Sequence, residues 1–380
     1  MRKLYTWTNE VNWLFWARVV NSTNLDVRSL SAFRIVLGSF LLATFIPSYS
    51  WIAEAPQALF NPPVLSIANF FNGFPSSVFF IAIDCLIIFS LVCLTIGIKA
   101  RVSTLVFLIT WIIGLSFKFS FGKIDHSSVL LSALLLCMAF SGWGRHLAIL
   151  PDKKSNLDST SKSLALLSVL LCFAMFTAGI LKAFNWLDFD IETNGFLSWY
   201  RNGFYGIGRQ YLLAPYVKYF PAVLVEFFDY AAVVFELSPL LFLLHSRKGW
   251  RLWLLIACSF HLSNTLMLNI MFVLNSMVYI VFMDYTWLYN KLQRLLAIPH
   301  YKYILTGSIV TIGLLRILNV FEQDVLFSSF LFNGVWTAKY WFDLTIWGVA
   351  IILIIKNLKL QSPSEDIQKH KQESAMKAPL

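Results

Sequence analysis

The chain predicts an all-α, polytopic integral membrane bundle of about eight to ten transmembrane helices, on three observations. Its 380 residues are 58% hydrophobic and only 13% charged, with a mean hydropathy of +0.68. One soluble core of this size could not hide that much apolar surface. The apolar residues also fall in repeated runs of membrane-spanning length. Finally, 35 Phe and 14 Trp suit lipid-facing surfaces and interfacial belts.

The first 24 residues open with "MRKLYTWTNEVNWLFWARVV", basic and aromatic but interrupted by polar residues. They have no continuous apolar region and no small-residue cleavage site, so a retained interfacial helix is predicted there. Apolar runs follow at 28–47, 77–97, 102–117, 127–142, 163–183, 222–244, 252–283, 303–320 and 340–355. Several are short for a span and require tilt or a thinned bilayer. Residues 291–356 supply additional C-terminal transmembrane helices, and the polar tail 357–380 reads as disordered.

Lys and Arg set the orientation. They cluster at Arg2, Lys3, Arg18 and Arg28, then at Lys99 and Arg101, then at Arg145, Lys153, Lys154 and Lys162. A further group is His245, Arg247, Lys248 and Arg251, whereas the 48–76 loop has neither Lys nor Arg. The positive-inside rule places the N-terminus in the cytoplasm and alternates through six spans, with 185–221 outside. The run 252–283 is long for one helix, yet Lys291, Arg294 and Lys302 beyond it require an even number of crossings. A tight hairpin turning near "FHLSNTLMLN" or a re-entrant pair satisfies that; one tilted helix does not.

The net charge of +10 is scattered over short loops and the tail, which excludes nucleic acid as the natural partner. Five cysteines (Cys85, Cys93, Cys137, Cys172, Cys258) lie inside apolar runs with no CxxC pair, so they read as small buried hydrophobes. No metal site is expected.

The polar residues inside the runs carry the functional reading. "FTAGILKAFNW" holds Lys182, a residue costing about 2.5–3.5 kcal/mol at mid-bilayer and less near the edge. On the predicted topology Lys182 shares one membrane depth with His126, with His261 and Asn264, and with Glu226 and Asp229; Glu236 lies deeper. Taken singly, each has a structural role open to it. Lys182 can snorkel, His126 can start a helix beside the cap Asp125, and His261 can bond a carbonyl. Glu236 can pair with Arg34 or Lys182, and Arg34 can pair with an acid or reach the cytoplasmic interface. Together they read as a base site. A desolvated lysine loses its charge readily and can take a proton from a phenol or hydroquinone, with a histidine bonding the oxyanion. If so, Lys182→Met should keep the fold and lose function, and Lys182→Arg should also fail.

Five segments in order carry a family resemblance. They are "SLSAFRIVLG", "LTIGIKARVSTLVFLI", "KIDHSSVLLSALLLCMAFSGWGRHLAI", "AGILKAFNW" and "FHLSNTLMLNIMFV". Together they resemble the membrane domain of vitamin K-dependent gamma-carboxylase, the horizontally transferred transmembrane (HTTM) domain, over about 27–288 within a domain of 25–290. The resemblance implies a membrane enzyme using a reduced isoprenoid quinone, a vitamin K-type hydroquinone. The family's deprotonating lysine falls on Lys182 and a functional histidine on His126. His261, Asn264, Glu226, Glu236 and Arg34 remain as candidates for contacts to substrate or lipid. The carboxylase's large luminal half has no counterpart here, Asp125 stands where the family has Asn, and Leu181 replaces one of paired lysines. Carboxylation of protein glutamates is therefore not implied. The alternative is a non-catalytic factor that binds a lipid or peptide and serves maturation or export of a secreted peptide, since bacterial members of the family include one such protein. A transporter fits poorly, because no inverted repeat is visible. The expected partners are membrane lipids, with a secreted peptide or its export machinery under the alternative. The expected location is the bacterial inner membrane.

Overall fold

The structure is a computed structural model that describes residues 2–44, 48–122, 124, 126–188, 192–321 and 336–359. The helices are α1 (Arg2–Thr23), α2 (Val27–Thr44), α3 (Ser77–Ile96), α4 (Ala100–Lys118), α5 (His126–Ala139), α6 (Thr160–Trp186), α7 (Gly195–Arg201) and α8 (Ala214–Val217). They continue as α9 (Ala222–Leu237), α10 (Pro239–His245), α11 (Arg247–Leu268), α12 (Val273–Ile280), α13 (Thr286–Leu296), α14 (Pro299–Phe321) and α15 (Trp336–Lys359). Among the described residues the only β element is an isolated bridge between Ile98 and Leu150.

The chain is thus an all-α polytopic membrane bundle. Seven described helices (α2, α3, α4, α6, α11, α14 and α15) are long and apolar enough to span, and the bent pair α9–α10 makes an eighth. Local chemistry sets their ends. Gly97, at φ 76°, closes α3 in the left-handed conformation that glycine adopts freely. Ser159 and Ser246 cap the starts of α6 and α11, accepting from the N–H groups of Lys162 and Gly249. The run 222–244 is broken at Ser238, where Pro239 bends the path by 48°, because proline cannot donate to the preceding turn.

Two runs depart from the predicted spans. The run 127–142 yields α5, whose 14 residues reach only about 21 Å. The run 252–283 turns later than "FHLSNTLMLN" suggests, so His261 and Asn264 lie within α11 and not in a turn. Asn269 ends α11 at φ 50°, its side chain accepting from the Tyr211 N–H (2.8 Å) and donating to the Thr265 carbonyl (3.0 Å). Beyond it the eight-residue α12 leads a return path that is buried from Leu274 to Met283. There Ser29 Oγ donates to the Met283 carbonyl and accepts from the Tyr285 N–H, while the Asp284 N–H donates to Asn357. The chain therefore does come back, as the charge pattern requires. So short a path is possible because protein, and not lipid, surrounds its backbone.

α1 and the last turns of α15 lie at the same end of the bundle. Arg247, at the start of α11, donates to the carbonyls of Asn21 and Asn24, and Arg251 one turn later donates to that of Asn357. Exposed Val11, Trp13, Leu14 and Trp16 on α1 suit the predicted interfacial helix. Amphipathic α13, packed on α2, is a second surface helix inside 291–356, where only spans were expected. The loops 48–76 and 192–221 lie at the opposite end, which also carries Lys182. The predicted 321–338 loop, apart from its edges, and the tail beyond Lys359 lie outside the described residues.

Buried charges pin these ends. Asp84, 0% exposed in the middle of α3, accepts the N–H groups of Tyr49 (2.9 Å) and Ser50 (3.1 Å) and anchors the 48–76 loop. Arg316 holds the carbonyls of Leu42 and Ala43 at the end of α2.

Candidate functional site

The site is built where α6 meets α9. Gly179 makes the approach possible: a Cβ there would lie 2.8 Å from the Cβ of Glu236. One turn on, the Lys182 ammonium forms an ion pair and hydrogen bond with Glu236 Oε1. The spacing of Gly and Lys in "AGILK" therefore has a physical reason, since three residues place both on one helix face. The Lys182 side chain is 25% exposed and that of Glu236 7%. Trp186, four residues after Lys182, places its ring 5.0 Å from the ammonium, and Gly195 leaves room for that indole against the start of α7.

Behind this pair lies a buried aromatic and polar layer. His261 Nε2 is 2.8 Å from the Tyr279 hydroxyl, and its ring stacks nearly parallel on Trp347 (5.0 Å, 18°) and on Tyr279 (5.6 Å, 20°). Phe235, next to Glu236 on α9, links the two layers: its carbonyl accepts from Trp253 Nε1 (3.2 Å) and its ring lies 4.7 Å from that of Phe260, the neighbour of His261 on α11. His261 Nδ1 is buried without a hydrogen-bond partner among the described residues, an acceptor when Nε2 carries the proton and a donor when it does not. Asp343, 1% exposed, accepts from Thr265 Oγ1 and from Trp347 Nε1 (3.1 Å), fixing the indole that stacks on His261.

Of the residues expected to converge, the structure brings together Lys182, Glu236 and His261. Glu226 and Asp229 lie at the same end but face the loop. Glu226 accepts from Asn194 Nδ2 (3.1 Å), and Asp229 accepts the N–H groups of Gly195 (2.7 Å) and Phe196 (2.8 Å). Both fasten the start of α7 to α9. Half-buried Asn264 uses its backbone carbonyl to cap α11. Arg34 pairs with none of these acids; it donates to the carbonyls of Trp143 (3.2 Å) and Leu147 (2.5 Å), at the end of the bundle away from Lys182. His126 begins α5, but its side chain lies outside the described residues, as do Lys123 and Asp125, so the expected partnership of His126 with Lys182 lies there too.

Tyr279 and Asp343 were missed in the sequence. Asp343 had a signal, an acid at the head of an apolar run. Tyr279 had none, because only the return of the chain behind α11 sets it against His261. Among the described residues no three His, Cys, Asp or Glu side chains gather as metal ligands. The five cysteines are free thiols, four of them buried. Comparison of the chain with protein-family models, with curated proteins and with solved structures found no match.

Proposed function

We propose that the chain is a membrane-embedded enzyme that binds a lipid-borne phenol or reduced isoprenoid quinone at the Lys182 end of the bundle and removes its hydroxyl proton. The observation that carries this reading is the Lys182–Glu236 pair, partly open at its lysine and backed by His261 and Tyr279. The pair accepts the proton as a unit. The O–H bond of the phenol breaks, the proton ends on the Glu236 carboxylate, and the Lys182 ammonium stays beside the new phenolate oxygen. This modifies the simpler idea of a lone lysine base, because Lys182 donates its hydrogen bond to Glu236 and leaves the carboxylate as the acceptor. The indole ring of Trp186 supplies a flat apolar wall suited to an aromatic head group. The family resemblance supports Lys182 as a residue of this site, there in the part of the base itself, and adds His126 as oxyanion or proton partner.

The positive residues at the α1 end support a cytoplasmic N-terminus, and the Lys182 site then opens to the outer leaflet of a bacterial inner membrane. A second reading, a non-catalytic lipid- or peptide-binding factor for maturation or export of a secreted peptide, is favoured by the same pair seen as a tie between α6 and α9.

The test is anaerobic binding of a reduced naphthoquinone to the purified protein, with its ionisation followed by absorbance. Wild type should shift the bound hydroquinone toward its anion. Glu236→Gln should bind it without that shift, and should slow any subsequent oxidation by about 10²-fold or more. Equal ionisation by wild type and Glu236→Gln would leave the tie as the better account.

A further inference from the structure

A cavity of about 330 Å³ lies between α7, α8 and the first turns of α9, apart from the Lys182 site. Its apolar side includes Phe220 and Val225, and its polar side Tyr200, Arg201, Tyr205 and Lys218. Tyr200 is 3% exposed, yet no group among the described residues accepts its hydroxyl proton, while its oxygen faces the Lys218 backbone N–H. Burial raises the pKa of this phenol, so it keeps that proton as a donor at neutral pH. Arg201 forms no ion pair among the described residues, and the only partner of the Lys218 ammonium there is the Tyr219 ring at 4.9 Å. Two cations and a buried hydroxyl donor thus line one cavity, with no carboxylate among the described residues lining it.

The surroundings suit an amphiphile. Exposed Tyr205, Tyr216 and Tyr219 form an aromatic collar of the kind found at the membrane interface. α9, whose first turns line the cavity, also exposes Val223, Phe227 and Val234 along another face, apolar surface suited to the surrounding acyl chains.

We propose that this cavity is a lipid site that holds the phosphate of an anionic headgroup, with Arg201 taking two phosphate oxygens, Lys218 as the second cation and Tyr200 donating a hydrogen bond. A guanidinium matches phosphate in that two-point geometry, and a net negative headgroup satisfies both cations where a zwitterionic one brings its own. The proposal does not depend on any chemistry at Lys182.

Native mass spectrometry of the full chain with equimolar phosphatidylglycerol and phosphatidylcholine tests it, with inorganic phosphate as a third arm. Phosphatidylglycerol should be retained selectively. At about fivefold per interfacial cation, Arg201→Ala with Lys218→Ala should lower its binding about twenty-fivefold. Tyr200→Phe should weaken it a fewfold, and Arg201→Lys should retain part of it. Both cations are exposed, so a matched melting temperature is expected for the double variant and separates loss of binding from loss of fold. Equal retention of the two lipids, or unchanged selectivity in the double variant, overturns the site. Displacement by millimolar phosphate without any lipid preference overturns the lipid assignment in favour of a free anion.

Discussion

Gly179 and Glu236 touch across α6 and α9 so closely that a single added methyl group at residue 179 would lie 2.8 Å from the glutamate Cβ. That contact sets the helix spacing from which Lys182 reaches Glu236. Because Leu237 side-chain carbons stand at 3.1 and 3.2 Å from the same point, a larger side chain has nowhere to go. Gly179→Val is expected to cost about 1–3 kcal/mol through overpacking. It should also separate the ion pair, and thermal unfolding in detergent alongside the ligand-ionisation assay checks both.

The ion pair reverses the stability expected of Lys182→Met. Read from the sequence, the variant removes a costly buried charge and should be neutral or slightly stabilising. In the structure it takes the cationic partner from Glu236, which is 6% exposed, and losing one partner of a buried pair costs about 3–5 kcal/mol. Glu236→Gln leaves Lys182 a partly open path to water and should cost less, about 1.5–3 kcal/mol. Replacing both, Lys182→Met with Glu236→Leu, should recover much of the stability and none of the activity. Melting curves of the three variants decide it, and a Lys182→Met protein as stable as wild type would show that the pair contributes little.

Lys182→Arg separates the two readings of the pair. Arg can still pair with Glu236, so a tie between helices tolerates it. A site that needs a compact ammonium beside a phenolate oxygen loses activity at matched expression.

Asp84 is predicted to be structural. Asp84→Ala should leave the Tyr49 and Ser50 N–H groups without acceptors, at about 1–3 kcal/mol for each that stays buried. The expected readout is faster proteolysis within 48–76, while quinone binding at the Lys182 end is kept. Loss of binding with an intact loop would contradict this assignment.

Single cysteines at Ser66 and Asn202 should label from one side of the membrane and one at Asn24 from the other. The five native cysteines must first be replaced. Labelling of Ser66 and Asn202 from opposite sides would break the topology.

His146, in the 140–159 loop, should make a small pH-dependent contribution. Burial, with help from Arg28 and Arg145 and against Asp26, lowers its pKa from the ordinary 6.5. Its neutral form is thus favoured by folding. The contribution is complete above about pH 6.5 and is lost as pH falls through the lower folded value. The melting temperature should fall more steeply below pH 6.5 in wild type than in His146→Gln.

The class of the molecule, most helix positions and the end of the bundle where Lys182 lies are legible in the amino-acid order alone. Those follow from run length and from the Lys and Arg asymmetry, which are local properties. Lys182 itself was legible because an amine in an apolar run is costly wherever the run packs. The tertiary structure decided the partners. Glu236 and Arg34 look alike in sequence, each a charge in an apolar helix, yet one meets Lys182 and the other caps carbonyls at the far end. Tyr279 reaches His261 only because a short return path is shielded by other helices, and Asp343 reaches it only through Trp347. Hydropathy records how deep a residue lies, but not the direction in which its helix face points, and that direction is fixed by contacts such as Gly179 against Glu236.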